Sequence, residues 1–300
     1  MSEIRTVLGN ISDTEVGVVL PHEHIFCYSD YLYEMAGKRY LDKEAVFNYA
    51  VKYLGMLKDK HHLTTFIDCT PINIGRDIPF LRRLSEKTGI NIICSTGFYY
   101  TDEPLLRKPD EEVLRDFICM DAMNTNAGII KCAVEEKTEF AGKLLRAAAM
   151  AQLKLSLPIV VHTNAKEENG LWALDILLSQ GVPPRAVTIS HLSDTDSMDY
   201  LKTVAARGCY LGLDRHYENQ PAGYAEEKVR IIKELCASGY EDQLLLSHDG
   251  LFYSGFSSEM FTINPTPRFN YIFEHILPEL PKELVKKLTV DNPLNMLRCS

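Results

Sequence analysis

Six ionisable residues lie at or just beyond the ends of short apolar runs, where β-strands would finish. They are His22 and His24 after VGVVL, Lys131 in AGIIKCAV, His162 ending PIVVH, His191 ending AVTISH, and Asp249 ending QLLLSHD. His22 and His24 are two residues apart, so on an extended strand both imidazoles point to the same side. Four imidazoles and one carboxylate suit zinc, with cobalt, manganese or iron as alternatives. The pattern predicts a metal centre.

Lys131 is an unusual member of this set, because a protonated ammonium repels metal ions and has no lone pair to offer them. A lysine that is desolvated near cations loses its proton readily, and the neutral amine can react with carbon dioxide. The resulting carbamate, N6-carboxylysine, has two oxygens that could bridge two metals. Glu135 is the competing bridge. Its side chain would face the same side of the strand as that of Lys131, but it lies further along the chain, beyond the expected rim of the barrel.

The other histidines that we assign are expected in structural or surface positions. His248 precedes Asp249 and should face the opposite side of its strand, as a packed residue. His61 and His62 lie in a predicted loop and His275 in a predicted late helix, where we expect surface positions.

Eight apolar runs rich in Val, Ile and Thr supply the predicted strands. They are residues 16–20, 65–69, 91–95, 127–134, 158–162, 186–191, 209–214 and 243–249. Segments with helical spacing separate them, such as 139–155 and 223–239. This alternation predicts an α/β fold of parallel strands, and since no GxGxxG turn occurs, a closed (β/α)8 TIM barrel is favoured over an open sheet. The carboxyl ends of barrel strands meet at one rim, which would bring the six residues together.

Composition limits the class of protein. The chain has 300 residues, 46% hydrophobic and 24% charged, so we expect residues 1–300 to form a single globular domain. The net charge of −9, without a cluster of Lys or Arg, argues against nucleic acid as a partner. A small-molecule substrate is expected, and a homodimer is left open.

The cysteine pattern and the first ten residues indicate the cellular compartment. The eight cysteines include no CxxC pair, which predicts reduced thiols. The segment MSEIRTVLGN lacks the features of a signal peptide, and no apolar stretch is long enough to cross a membrane. We therefore expect a cytoplasmic protein without a membrane partner.

These segments together resemble the phosphotriesterase family of the amidohydrolase superfamily along nearly the whole chain. The motifs that carry the resemblance are PHEH (21–24), TPINIGRD (70–77), STGFYY (95–100), AGIIK (127–131), VVHT (160–163), ISHLSD (189–194), GLDR (212–215), SHDGLF (247–252) and TVDNPLNML (289–297). The resemblance implies two divalent metals at the carboxyl ends of the strands. The implied ligands are His22, His24 and Asp249 for one metal and His162 and His191 for the other, with carboxylated Lys131 and a hydroxide bridging them.

The resemblance also implies a hydrolytic mechanism. Two cations lower the pKa of a bridging water toward ~7, so that a hydroxide nucleophile exists at neutral pH. Asp249 is then the proton shuttle, which takes the proton of the hydroxide and passes it to the leaving group. The expected activity is metal-dependent hydrolysis of ester bonds without a covalent enzyme intermediate.

Loop residues point to the lactonase branch of that family, with sugar lactones, phosphorylated or plain, as expected substrates. Tyr99 in STGFYY and Arg215 after GLD resemble the tyrosine and arginine that line lactonase sites; packing is the alternative role of Tyr99. Arg268 and Tyr271, three apart on a predicted helix, resemble the anion site of phosphorylated sugar lactonases. Guanidinium and phenol suit a phosphate dianion, with Lys228 as a further contact, although Arg268 could instead bind surface carboxylates.

Other functions stay open at this point. Phosphotriester, carboxylic ester and amide hydrolysis all fall within the same family. A barrel can also persist as a non-catalytic metal- or ligand-binding relic. Because all six ligand positions are present, we expect an enzyme, and a relic should carry far fewer than two ions per chain.

Overall fold

The computed structural model describes residues 3–100, 104–218, 220–255 and 269–298, with the backbone alone at 104 and 105. Its strands are β1 (Glu3–Thr6), β2 (Gly9–Ser12), β3 (Val18–Cys27), β4 (Leu63–Asp68), β5 (Asn91–Gly97), β6 (Ile129–Val134), β7 (Ile159–Thr163), β8 (Val187–Ile189), β9 (Tyr210–Leu213), β10 (Leu244–Leu246) and β11 (Leu251–Ser254). Its α-helices are α1 (Asp30–Ala36), α2 (Lys43–His61), α3 (Ile78–Thr88), α4 (Pro104–Arg107), α5 (Glu111–Thr125), α6 (Glu139–Leu155), α7 (Asn169–Ser179), α8 (Met198–Ala206), α9 (Tyr224–Ala237), α10 (Lys282–Lys286) and α11 (Asn292–Leu297).

The strands from β3 onward form one parallel sheet that closes on itself. The order is β10, β9, β8, β7, β6, β5, β4, β3, β11. Strands β10 and β11 are two halves of the eighth barrel strand, of which β10 pairs with β9 and β11 pairs with β3. Between the halves, the Asp249 N–H donates to the His22 carbonyl (3.0 Å) and the His24 N–H donates to the Gly250 carbonyl (2.9 Å). The predicted (β/α)8 barrel is confirmed.

Separate apolar clusters fill the two sides of this sheet. The larger cluster lies between the strands and the helices. The smaller one fills the barrel interior and includes Ile4, Val19, Ile67, Ile93, Ile129, Val160, Leu245 and Met296. Since alternate residues of a strand share a face, Lys131 follows Ile129 on the inner side and His162 follows Val160. The polar residues of the rim therefore sit directly on an apolar interior.

Helix α6 illustrates how local sequence sets the crossover helices. The Thr138 side chain accepts a hydrogen bond from the Ala141 N–H (3.1 Å), which caps the first turn. Ser156 ends the helix in a left-handed conformation (φ 54°). The observed bounds, Glu139–Leu155, equal the predicted 139–155, and α9 at Tyr224–Ala237 falls within the predicted 223–239.

Besides the division of the eighth strand into β10 and β11, the structure differs from the predicted strands at the start of the chain and in the first barrel strand. The antiparallel hairpin of β1 and β2 was not predicted, and its Ile4 joins the interior cluster. The first barrel strand extends to Cys27 instead of ending at Leu20, with a shift of register between Leu20 and Glu23 where it pairs with β4. The predicted strand ended too early because the run of apolar residues stops at Leu20, before the polar residues His22, Glu23 and His24.

None of the helices within the described ranges combines the length and apolar character that crossing a membrane requires.

Candidate metal centre

Two histidines of β3 and an aspartate from the gap in the eighth strand form the first cluster. The Nε2 atoms of His24 and His22 lie 3.2 Å and 3.6 Å from Asp249 Oδ1. The donor atoms of the three residues lie within 4.8 Å of one another, close enough to hold a metal ion. The hydrogen bond from the Asp249 N–H to His22 fixes this carboxylate beside β3.

Lys131 projects from β6 into the same site. Its side chain is 1% exposed, and its Nζ lies 2.6 Å from His22 Nε2. The neighbouring strand position is Gly97, where a Cβ atom would lie 2.1 Å from the Lys131 carbonyl oxygen at a φ of +96°. Only glycine allows β5 to approach the Lys131 backbone this closely.

Asp214, just beyond β9, orients one histidine from each side of the site. Its Oδ2 lies 2.8 Å from His22 Nδ1, and its Oδ1 lies 2.7 Å from His191 Nδ1 and accepts the His191 N–H at 3.0 Å. Both rings therefore donate from Nδ1 and keep their Nε2 lone pairs for another partner. His22, His191 and Asp214 are close enough to hold an ion, but the carboxylate already accepts three N–H groups, so we assign it an orienting role.

His162 and His191 face each other on the opposite side of the site. His162 Nε2 lies 3.0 Å from Glu135 Oε2, so the neutral ring donates there and exposes the lone pair of Nδ1. That Nδ1 lies 2.8 Å from His191 Nε2, which also presents a lone pair. Two acceptors at this distance need a proton or a cation between them. Glu135, the competing bridge, instead bonds His162 and the Asn164 side-chain amide (2.9 Å).

Burial keeps most of these imidazoles neutral. Burial and then the charge of Lys131 lower the pKa of His22 to about 4. Burial likewise lowers the pKa of His191 to about 3 and also lowers that of His162. Neutral imidazole is the form that binds metals.

His24 has the opposite shift. Burial favours its neutral form, but the Cys27 thiol and Asp249 outweigh this and raise its pKa to about 10. The Thr70 hydroxyl donates to the Phe26 carbonyl (2.9 Å) and so accepts from His24 Nδ1 (2.9 Å). The second ring proton points at Asp249, at the position where a metal ion would replace it.

The donor set fits a centre of two divalent ions. Imidazole nitrogens and a carboxylate oxygen converge, and the opposite ring nitrogens of the four histidines are held by Asp214, Thr70 or Glu135. Such partners fix the orientation and tautomer of metal-binding histidines. The paired lone pairs of His162 and His191 are an arrangement that a cation stabilises.

Arg215 and Tyr99 lie at the open side of this cluster. Arg215 donates from Nε to Asp249 Oδ2 (3.2 Å) and from a terminal nitrogen to Asp194 Oδ2 (2.6 Å). The Tyr99 ring packs edge-on against His162, with centroids 5.3 Å apart. Burial, with smaller effects from nearby groups including Asp249, raises the pKa of Tyr99 far above its usual range, so its phenol keeps its proton. Both residues lie next to residues of the cluster, and their role toward a substrate stays a prediction.

Two of the three residues expected to bind phosphate are described by the structure, and both contact other protein groups. Tyr271 is 8% exposed and packs edge-on against Tyr224 and at a tilt against His275, with ring centroids 5.9 Å and 4.6 Å away. Lys228 is buried, and its Nζ donates to Asp196 (2.9 Å). Arg268 lies outside the described residues.

Glu23 is a structural residue that the sequence analysis did not assign. Fully buried, it accepts hydrogen bonds from the Ser247 hydroxyl (2.8 Å), the His248 N–H (3.0 Å) and the Gly250 N–H (2.7 Å). His248 Nδ1 also lies 2.9 Å from this carboxylate, on the side away from the metal cluster. Glu23 thereby holds the break in the eighth strand from which Asp249 projects.

Asp214, Thr70 and His216 were missed as well. Asp214 stands inside the quoted motif GLDR, and its position at a strand end beside Arg215 was the available signal. His216 is buried behind the site, where its ring nitrogens lie 3.3 Å from the Ser193 hydroxyl and 3.0 Å from that of Tyr224.

The role of Asp214 can be tested by Asp214→Asn. Asparagine places an NH2 group where one ring N–H must be accepted, so one histidine should turn. We expect the dissociation constant for zinc, measured by chelator competition, to rise about 10- to 100-fold. Asp196→Asn, which alters only the partner of Lys228, should leave zinc affinity unchanged. Unaltered affinity in Asp214→Asn would show that this carboxylate does not organise the ligands.

Comparison with known proteins agrees with this geometry. The model of the Phosphotriesterase family matches residues 2–297. The chain is 30% identical to the phosphotriesterase homology protein of Mycobacterium tuberculosis over 317 residues, 98% of this chain and 97% of that protein. It is 31% identical to the aryldialkylphosphatase of Saccharolobus solfataricus over 306 residues, with 95% and 96% covered. Identity to the human N-acetyltaurine hydrolase is 25% over 347 residues, with 98% and 97% covered.

Proposed function

The chain belongs to the phosphotriesterase family and is a metal-dependent hydrolase, and from this premise we propose that it is a lactonase with two divalent metal ions. The proposed ligands are His22, His24 and Asp249 for one ion and His162 and His191 for the other, with Lys131 as N6-carboxylysine between them. Zinc is the first choice of metal, with cobalt, manganese and iron as alternatives.

When bound, two such ions increase the acidity of water and polarise the carbonyl of the ester. Asp249 is the proposed proton shuttle, which accepts a proton from the attacking water and delivers it to the leaving alkoxide. Its two oxygens face different partners, His24 on one side and Arg215 on the other, so the carboxylate is held in one orientation. Because Arg215 is also anchored by Asp194, it can keep this orientation through the reaction.

The proposal of a lactone substrate rests on the hydrogen bonds of Arg215 and on the protonated phenol of Tyr99. The guanidinium is bonded to two carboxylates, so its charge is compensated, and it offers little attraction to an anionic group at the reacting centre. Tyr99 packs against His162 and keeps its phenol protonated, so it can donate a hydrogen bond to a neutral ester oxygen. A neutral cyclic ester fits this pair, and both residues match the lactonase branch that the sequence resembles.

Phosphotriester hydrolysis is the second candidate, because a relative that is 31% identical is named an aryldialkylphosphatase. The same metal centre would polarise a phosphoryl oxygen as well as a carbonyl. Amide hydrolysis is a third possibility that the name of the N-acetyltaurine hydrolase raises.

A substrate panel tests the proposal. Zinc- or cobalt-loaded protein is assayed on five- and six-membered lactones, a phosphorylated sugar lactone, a dialkyl aryl phosphate and N-acetyltaurine. We expect kcat/KM for the best lactone to exceed that for the phosphate ester and the amide by about 100-fold or more, a transition-state difference of about 2.7 kcal/mol. A phosphorylated lactone that outperforms its plain counterpart would support an anion site with Arg268 and Tyr271. Preference for the phosphotriester or the amide would overturn the lactonase assignment.

A further inference from the structure

A small cavity lies inside the barrel beside Asp214, with walls that are mostly apolar. It leaves about 10 Å³ for the centre of a water molecule, and besides Pro21, Val160, Leu245 and Met296 its walls include Gly212 and the hydroxyl-bearing residues Thr188, Ser190 and Ser247. A cavity needs roughly 10–15 Å³ by this measure to hold one water. The cavity depends on the absence of a side chain at Gly212, where a Cβ atom would lie 3.0 Å from Ser190 Cα and 3.3 Å from Asp214 Oδ2.

Two hydroxyl groups that line this cavity are unpaired. Thr188 and Ser190 are 3% and 0% exposed, and among the described residues neither hydroxyl has a hydrogen-bond partner. The two residues alternate on β8 and its extension, so both side chains face the barrel interior. Buried hydroxyls are normally hydrogen-bonded, to protein or to ordered water. The Ser247 hydroxyl, by contrast, is used: it donates to Glu23 and accepts the His22 N–H.

Asp214 has one acceptor position left on the side of the cavity. A carboxylate offers about four lone-pair sites. Oδ1 accepts two N–H groups from His191, and Oδ2 accepts one from His22. The free position on Oδ2 and the hydroxyls of Thr188 and Ser190 provide three polar partners, which is the usual number for a buried water.

We propose that this cavity binds one water molecule, which donates a hydrogen bond to Asp214 Oδ2 and is held by Thr188 and Ser190. The two hydroxyls become positioning residues of the metal centre: they act through the water on Asp214, and Asp214 orients His22 and His191. The water itself does not depend on the proposed function, whereas its effect on zinc affinity rests on the proposed ligands.

The first test is a high-resolution crystal structure of the zinc-loaded protein. We expect a density peak within hydrogen-bonding distance, about 2.6–3.2 Å, of Thr188 Oγ1, Ser190 Oγ and Asp214 Oδ2. A cavity without a peak would overturn the proposal. This result is independent of activity and of whether the assigned substrate is correct.

The second test is zinc affinity in Thr188→Val and Ser190→Ala, by chelator competition. Valine keeps the shape of threonine but cannot hold the water, so the dissociation constant for zinc should rise about 10-fold. This is the low end of the range, about 10- to 100-fold, for mutation of residues that orient metal ligands. Thr188→Ser should restore affinity to within about twofold. Thr65→Val is the matched control, because Thr65 is also buried in the barrel but donates to the Val16 carbonyl (2.6 Å).

The outcomes separate the two proposals. Unchanged zinc affinity in both Thr188→Val and Ser190→Ala would overturn the positioning role, since a dry cavity loses nothing when an unpaired hydroxyl is removed. Equal losses in Thr65→Val would also count against it, because they would reflect general destabilisation. If the unaltered protein binds no zinc, the proposed metal centre fails, while a density peak in a crystal structure of the metal-free protein still decides whether the water site exists.

Discussion

Lys131→Ala should lose most of its activity, on the order of 100-fold or more, and retain fewer than two metals per chain. Lys131 is buried with Nζ at 2.6 Å from His22 Nε2, so its side chain is placed to supply the proposed bridge between the two halves of the site. Alanine removes the proposed carbamate but leaves space for a small anion. Formate or acetate should therefore restore part of the activity, as measured by initial rates and by metal content.

Lys131→Met is the control for this experiment. Methionine fills the same space without an amine, so it should be inactive and should not respond to added acids. Rescue of the alanine variant alone would separate lost bridging from lost packing. If both variants keep two metals and full rate, Lys131 is not the bridge, and Glu135 should be tested next.

Asp249→Asn should lower kcat by about 100-fold or more with a smaller change in KM. Burial alone would raise the pKa of Asp249, but its interactions with His191, His24 and His22 hold it well below the usual range, so the residue is ionised. Asparagine keeps an oxygen that can face the metal but cannot accept the proton of the attacking water. Steady-state kinetics and metal analysis on the same sample would show both effects.

Asp194→Asn is a matched variant, because Asp194 is the other carboxylate bonded to Arg215. It should disturb the orientation of Arg215 without removing the proton acceptor, and we expect a loss of about tenfold or less. Near-normal turnover of Asp249→Asn with two metals bound would rule out the shuttle. Equal losses in both variants would assign the effect to the position of Arg215.

The barrel and the converging rim were predictable because they depend on local alternation. Ile129 and Lys131, or Val160 and His162, share a strand face by parity alone, and parallel strands bring their ends to one rim. The extended geometry of His22 and His24 was expected, whereas the continuation of β3 to Cys27 was not, because the apolar run ends at Leu20. Both ends of helix α6 were predicted correctly, since the capping residue and the amphipathic pattern lie in the same segment of sequence.

The partners of the metal ligands were not predictable in this way. Asp214 bonds His22 across 192 positions and His191 across 23, and no local pattern encodes either pair. Glu23 was not assigned from the sequence, because its role depends on the break in the eighth strand. The left-handed conformations of His191 (φ 67°), Arg215 (φ 66°) and Asp249 (φ 52°) are uncommon outside glycine, and no pattern in the sequence indicates them.

The join between β3 and the eighth strand also constrains how the protein is made. Glu23 and the His248 N–H that it accepts are 225 residues apart, so a ribosome adding about 5–20 residues per second completes this contact roughly 10–45 s after making Glu23. Throughout that interval the nascent chain carries His22 and His24 but not Asp249. Ring closure and assembly of the first metal cluster therefore occur together, late in synthesis, and a chain that stops before Asp249 can neither close its barrel nor complete that ligand set.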